Sequence, residues 1–251
     1  MDAIKKRVEE SGFALIRRCI SEGVVASLSN ALGDDEHGAR NILANPIVRA
    51  LACSEDVRGQ VARVLERDCF AVRGIFFNKN SKANWKVSWH QDCVIAVRKR
   101  GDVRGWGPWS CKAGIPHVRP TATVIEKMLA IRIHLDECGQ DNGPLRVIPG
   151  THSKGFLTDA QIQGWPKDSA LACTAHQGDA ILMRPLLLHA SSQAVHLSNR
   201  RVVHLEFAAE DLPQDMEWYE RVGMDVCCDF VPLRGYANSK ELRSSTCRLD
   251  S

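Results

Sequence analysis

No apolar run in the chain approaches the roughly 18 residues that a membrane span needs, so a transmembrane protein is excluded as a first reading. The start, MDAIKKRVEE, is charged and has no apolar core segment, which argues against a secretory signal. The charge balance is only +3, too mild by itself to suggest nucleic acid or a membrane surface as partner. None of the ten cysteines forms a CxxC pair, so neither a zinc knuckle nor a thioredoxin-like motif is expected. They read as reduced thiols of a cytoplasmic protein, mostly small core residues. There is no internal repeat. At 251 residues, with 44% hydrophobic and 25% charged residues, the composition is that of one large folded domain.

Residues 1–70 read as a mostly helical flank. Apolar pairs at Leu15-Ile16, Cys19-Ile20 and Val24-Val25 recur at helical spacing. Ser11–Ile16 is an alternative short strand, and Asp56–Asp68 a further helix with Ser54 as its cap. From 70 to 210 the pattern changes to short apolar runs separated by Gly, Pro, Asn and Asp. Strands are expected at Cys69–Phe77, Val87–Val97, Met128–Leu135, Leu145–Ile148, Ala180–Leu188 and Arg201–Phe207. Many short strands with turns between them suggest a sandwich or jelly-roll barrel. Residues 98–120 have no clean period and read as an inserted loop or lid. Residues 231–251 read as a polar tail.

The chemistry starts at Trp89-His90-Gln91-Asp92. In a strand, residues two apart share a face, so His90 and Asp92 point the same way and Gln91 points opposite. An imidazole and a carboxylate make two legs of a metal site. His189, at the end of an apolar run, is the candidate third. Two histidines and one carboxylate form the facial triad of non-haem Fe(II) oxygenases, with positions left open for a co-substrate and O2. Such nitrogen and oxygen donors suit iron, whereas structural zinc usually takes thiolates. Eleven residues on, Arg200 opens a strand. A guanidinium beside an open iron site can grip a carboxylate through two parallel N–H bonds, as 2-oxoglutarate would require.

These stretches resemble the phytanoyl-CoA dioxygenase family of Fe(II)/2-oxoglutarate oxygenases, which includes ectoine hydroxylase. The resemblance rests on Trp89–Asp92, Asn142–His152, Gly178-Asp179-Ala180 and Pro185–Ser192, ending in Arg200, and covers about residues 70–210. It implies a mainly β fold with flanking helices, a double-stranded β-helix (jelly-roll, cupin-like) barrel. It implies that His90, Asp92 and His189 hold Fe(II), and that Arg200 pairs with the distal carboxylate of 2-oxoglutarate, with Arg201 the alternative should the register slip. Ser191 and Asn78 are further co-substrate candidates. The implied reaction hydroxylates a C–H bond of a small molecule and releases succinate and CO2.

For the primary substrate, the candidates are Arg132 and His134, alternating along one strand, and Trp106, Trp109 and Arg98 in the 98–120 stretch. That stretch carries Arg98, Lys99, Arg100, Arg104, Lys112 and Arg119 against a single acid, Asp102. A basic, tryptophan-bearing lid would suit a substrate with an anionic group and an apolar body. Two other readings stay open: a cupin-like metal enzyme that does not use 2-oxoglutarate, and a non-catalytic binding protein on the same fold. No nucleic-acid or membrane partner is expected, and the oligomeric state is left open.

Overall fold

The computed structural model describes residues 2–33, 38–195 and 198–223. The expected tail at 231–251 lies outside the described residues. Strands follow in chain order as β1 (Phe13–Ile16), β2 (Ala39–Arg40), β3 (Phe70–Lys79), β4 (Val87–His90), β5 (Ile95–Ala96), β6 (Trp109–Lys112), β7 (Ile115–Val118), β8 (Leu129–His134), β9 (Leu145–Val147), β10 (Leu171–Cys173), β11 (Ala180–Met183), β12 (His189–Ser191) and β13 (Arg200–Ala208). They build a six-stranded sheet in the order β1-β11-β8-β13-β3-β2 and a four-stranded sheet in the order β10-β9-β12-β4, with antiparallel pairing throughout. This is the mainly β jelly-roll expected from the turn-punctuated apolar runs.

Helices α1 (Ala3–Ser11), α2 (Glu22–Leu32), α3 (Pro46–Cys53) and α4 (Gln60–Leu65) cover the outer face of the large sheet. Their starts are written locally. The Asp2 carboxylate accepts from Ile4 N, Ser21 Oγ from Val24 N, and the Asn45 amide oxygen from Ile47 N just before Pro46 at the first helical position. Ser54 caps nothing; its hydroxyl donates back to Leu51 O. Val8, Leu28, Val48, Leu51, Val57 and Val61 pack against Ile131, Ile133, Leu182, Val203 and Leu205 of the sheet. Each such side chain, fully buried, contributes roughly 1.5–3 kcal/mol.

Two expected elements are differently cut. The run from Val87 to Val97 splits after His90 into β4 and β5, which belong to different sheets. The run from Ala180 to Leu188 is a strand only as far as Met183, because Arg184-Pro185 turns the chain; Leu187 N donates to Arg184 O, and a new strand starts at His189. Residues 98–120 are not structureless. β6 and β7 form a hairpin that joins β5 in a three-stranded sheet. Among the described cysteines six are free thiols, whereas Cys53 is disulfide-bonded, against the expectation of reduced thiols throughout.

The register of the large sheet divides its faces. Arg200, Val202, His204 and Glu206 pair with Lys79, Phe77, Ile75 and Arg73, and His204 also with Arg132. Cross-strand partners share a face, so these residues all point between the two sheets. At one end that space is filled by Phe13, Leu145, Val147, Ile181, Met183 and Leu187. At the other end it is open and polar.

Candidate metal and 2-oxoglutarate site

His90 ends β4, and His189 opens β12 directly opposite it in the small sheet. Their ring centroids lie 4.2 Å apart. Asp92 follows one turn of chain later, held by its own N–H donating to Pro185 O at 2.9 Å. Its carboxylate oxygens sit 3.7 Å from His90 Nε2 and 3.5 Å from His189 Nε2. One atom from each residue lies within 4.8 Å of the others, a spacing that can hold one cation.

Both imidazoles are already committed at the far nitrogen. His90 Nδ1 bonds Ser88 O and His189 Nδ1 bonds Leu187 O, each at 2.8 Å. A carbonyl only accepts, so Nδ1 carries the proton in both rings. Nε2 then keeps its lone pair for the metal, with the ring orientation fixed. Burial pushes His189 down to about 4, so it is a neutral ligand at pH 7. Burial opposes ionisation of Asp92, but His189, His204, His90 and Arg73 outweigh it and hold the carboxyl below its usual value. Two imidazoles and one carboxylate, without a thiolate among the converging atoms, fit a divalent iron.

The segments carrying the ligands are pinned from behind. Gln91 points opposite, as alternation requires, and is buried. Its Nε2 donates to Leu186 O (2.7 Å) and Gly155 O (2.9 Å), and its Oε1 accepts from Leu157 N (2.8 Å). Thr151 Oγ1 donates to Ile148 O and accepts from Leu188 N, fixing the approach to His189. Asp179 accepts from Arg18 N, His176 N and Arg17, which ties the start of β11 to the turn after β1. Gly143 sits at φ +59°, where an added Cβ would lie 2.6 Å from Ser192 O; only glycine lets this turn pass under the end of β12.

A cavity of about 360 Å3 opens beside the triad. Arg132, Arg200, Ser191, His204, Phe77 and Trp85 are among its walls. Arg200 is 3% exposed, and its Nε has no hydrogen-bond partner; Arg132 is 9% exposed and likewise has an unpartnered Nε. Arg132 stacks over Phe77 at 5.2 Å and its Nη1 meets His204 Nδ1 at 3.3 Å. Burial, with Arg200 close by, lowers the Arg132 guanidinium to about 10, still charged at neutral pH. Lys79, opposite Arg200 in register, is fully buried and donates to Ser192 O at 2.6 Å. Burial and Arg200 bring its ammonium down to about 8. Buried cations without a carboxylate cost several kcal/mol unless an anion joins them. Asp92 is committed to the triad, so this end of the cavity is built for an anionic ligand such as 2-oxoglutarate.

The profile of the phytanoyl-CoA dioxygenase (PhyH) family matches residues 8–202. The chain belongs to the phytanoyl-CoA dioxygenase family. It is thus an Fe(II)/2-oxoglutarate-dependent dioxygenase, an oxidoreductase that takes 2-oxoglutarate as co-substrate. Solved structures of the same fold include the α-ketoglutarate-dependent carbocyclase SnoK from nogalamycin biosynthesis (16% identity, 84% of this chain and 85% of that one, TM-score 0.64). They also include iron-bound HygX from Streptomyces hygroscopicus (15%, 83% and 86%, 0.61) and EctD from S. alaskensis in its apoform (18%, 83% and 77%, 0.60). At these identities the likeness concerns the fold. No curated protein matches the chain by sequence.

Of the residues singled out in the sequence, His90, Asp92, His189, Arg200, Ser191 and Arg132 line one cavity. His134 lies on the same face of β8 as Arg132, almost wholly buried, with both ring nitrogens unpartnered. Asn78 does not join them. It pairs with Arg201, on the face of β3 turned away from the cavity, and its neighbour Lys79 takes the inward position. Arg201 is spent on Asp136, through Nε at 3.0 Å and Nη2 at 2.8 Å. Trp106 and Trp109 pack on the cluster around Ile95, Val97 and Val118, and Arg98 pairs with Glu217; none of the three lines the cavity. Arg40, Arg73, Lys112, Trp85, His204 and Glu206 line it instead. One signal for two of these was in the sequence: His204 and Glu206 are polar at every second place of an otherwise apolar strand that opens on inward-facing Arg200.

Among the described residues no helix is long and apolar enough to cross a membrane.

Proposed function

We propose that the chain is a single dioxygenase domain that oxidises a small anionic molecule at His90, Asp92 and His189, using 2-oxoglutarate gripped by Arg200. The observation that carries this reading is the pair of Nδ1 bonds to Ser88 O and Leu187 O, which aim both Nε2 lone pairs at the Asp92 carboxylate. Iron bound there would activate O2 as 2-oxoglutarate is decarboxylated to succinate. The chain's own groups orient the reactants. Arg200 offers charge to the distal carboxylate from the cavity wall, and the Ser191 hydroxyl, two residues beyond His189, offers a further hydrogen bond. Arg132 holds positive charge between this end and the triad. Phe77, Trp85 and Leu145 supply apolar wall that excludes water from the reacting centre.

HygX, of the same fold, has been solved with nickel, 2-oxoglutarate and hygromycin B bound, which supports a small-molecule substrate here. An anionic one is supported by the excess of cationic over acidic side chains around the cavity. A cytoplasmic location is supported by the free thiols of six of the seven described cysteines, Cys53 being the disulfide-bonded one.

The test is anaerobic purification, Fe(II) titration, and measurement of 2-oxoglutarate-dependent succinate release. His189→Ala should lose both iron binding and succinate. Full activity of that variant with iron supplied would refute the assignment.

A further inference from the structure

The basic side chains at the cavity mouth come from three separate elements. Arg73 lies on β3, Arg40 on β2 opposite Ile75, and Lys112 at the tip of the β6–β7 hairpin. Arg73 is half neutralised, donating to Glu206 Oε1 at 3.1 Å, where His204 Nε2 also approaches to 3.5 Å. Arg40 and Lys112 have no carboxylate partner among the described residues. Loss of solvent, with Arg73 and Arg40 nearby, holds the Lys112 ammonium below the usual lysine value. The three cations line one cavity together with two acids, Asp92 and Glu206.

The charges inside the cavity pair off when it is loaded. A divalent metal with Asp92, together with Arg200, balances the two carboxylates of 2-oxoglutarate. Glu206 offsets part of the Arg73 charge. Arg132 remains inside, and Arg40 and Lys112 remain at the mouth. A cavity of about 360 Å3 is at the small end of ligand pockets. With the co-substrate in place it leaves room for a compact body against Phe77, Trp85 and Val87, but not for a bulky head group as well.

We propose that Arg40, Lys112 and Arg73 form a head-group receptor, and that the primary substrate is a small apolar or aromatic body bearing a dianionic phosphoryl group. The head stays at the rim and the body reaches inward, so that a C–H bond faces the triad. Two cations at the mouth with no carboxylate partner among the described residues call for a dianion rather than a single carboxylate. The inference rests on reading the cavity as the oxidation site.

Isothermal titration calorimetry tests it on the full chain loaded with Ni(II) and 2-oxoglutarate, with phenyl phosphate, benzoate and benzyl alcohol as probes. Phenyl phosphate should bind most tightly of the three. Arg40→Ala and Lys112→Ala should each weaken it about tenfold while 2-oxoglutarate affinity stays unchanged, and Arg98→Ala should leave it alone. Equal binding of phenyl phosphate and benzyl alcohol, or no effect of the two rim substitutions, would overturn the receptor while leaving the oxygenase reading intact. If 2-oxoglutarate itself fails to bind the metal-loaded protein, the oxygenase reading falls. The same titration without 2-oxoglutarate then decides the rim: phosphate binding lost in Arg40→Ala and Lys112→Ala upholds it, and binding lost only in Arg200→Ala refutes it.

Discussion

Replacing Gln91 by Leu removes no volume to speak of, yet it should be among the most damaging single changes near the site. The amide is buried and makes three hydrogen bonds to the backbone, to Leu186 O, Gly155 O and from Leu157 N. Leucine leaves all three backbone groups without that partner. A buried unsatisfied polar group costs about 1–3 kcal/mol, so the loss should be on the order of 3–5 kcal/mol once partial rearrangement is allowed. That is a large share of the roughly 5–15 kcal/mol that holds a typical domain folded. At this chain length it corresponds to a melting-temperature drop of about 6–10 °C. The damage should also reach the metal. Leu186 lies three residues before His189, and Gln91 lies between His90 and Asp92, so the same amide sets the spacing of all three ligands. Chemical denaturation followed by tryptophan fluorescence and circular dichroism, with Fe(II) titration of the folded variant, measures both effects. A Gln91→Leu protein within about 0.5 kcal/mol of wild type and with unchanged iron affinity would refute the reasoning.

Arg200→Ala should raise the KM for 2-oxoglutarate by about a hundredfold, as expected for a lost charge-assisted pair in a desolvated site, with iron binding retained. Arg201→Ala should instead leave KM unchanged and cost stability through the stranded Asp136, and the reverse pattern in steady-state kinetics would reassign the two. His134 is held down to about 3 by burial, then by Arg132 and Arg200. The unfolded chain therefore binds more protons below the ordinary histidine value. This contribution to stability is complete above about 6.5 and is lost as pH falls towards 3. Between pH 7 and 5 the loss should be about 2 kcal/mol, and His134→Leu should show a correspondingly shallower acid limb in denaturation at the two pH values. Arg98→Ala should change neither turnover nor stability by more than about 0.5 kcal/mol, because its ion pair with Glu217 is exposed and remote from the cavity; a clear loss of activity would restore the stretch around it as a lid.

The triad was legible because its signal is local and chemical. His90 and Asp92 are two apart on a strand, and His189 and Arg200 stand in a stretch with family-like spacing. The apolar runs announced the jelly-roll for a similar reason: strand and turn preferences act over a few residues. What went astray was decided by pairing. Asn78 and Lys79 are adjacent and both polar, and only the alignment of Lys79 with Arg200 turns the lysine inward and the asparagine out. Arg200 and Arg201 separate in the same way, the second being claimed by Asp136 from beyond β8. Trp106, Trp109 and Arg98 looked like a lid because composition carries no address. Folded into a hairpin, the stretch sends its tryptophans to an apolar cluster and only Lys112, at the tip, to the cavity. Strand alternation assigns a residue to one of two faces, and the sequence carries that information for each strand alone. Which face becomes the inside of a cavity, and which distant side chains meet there, depends on strand register and on the order of strands in the sheet, and those are set only when the whole chain packs.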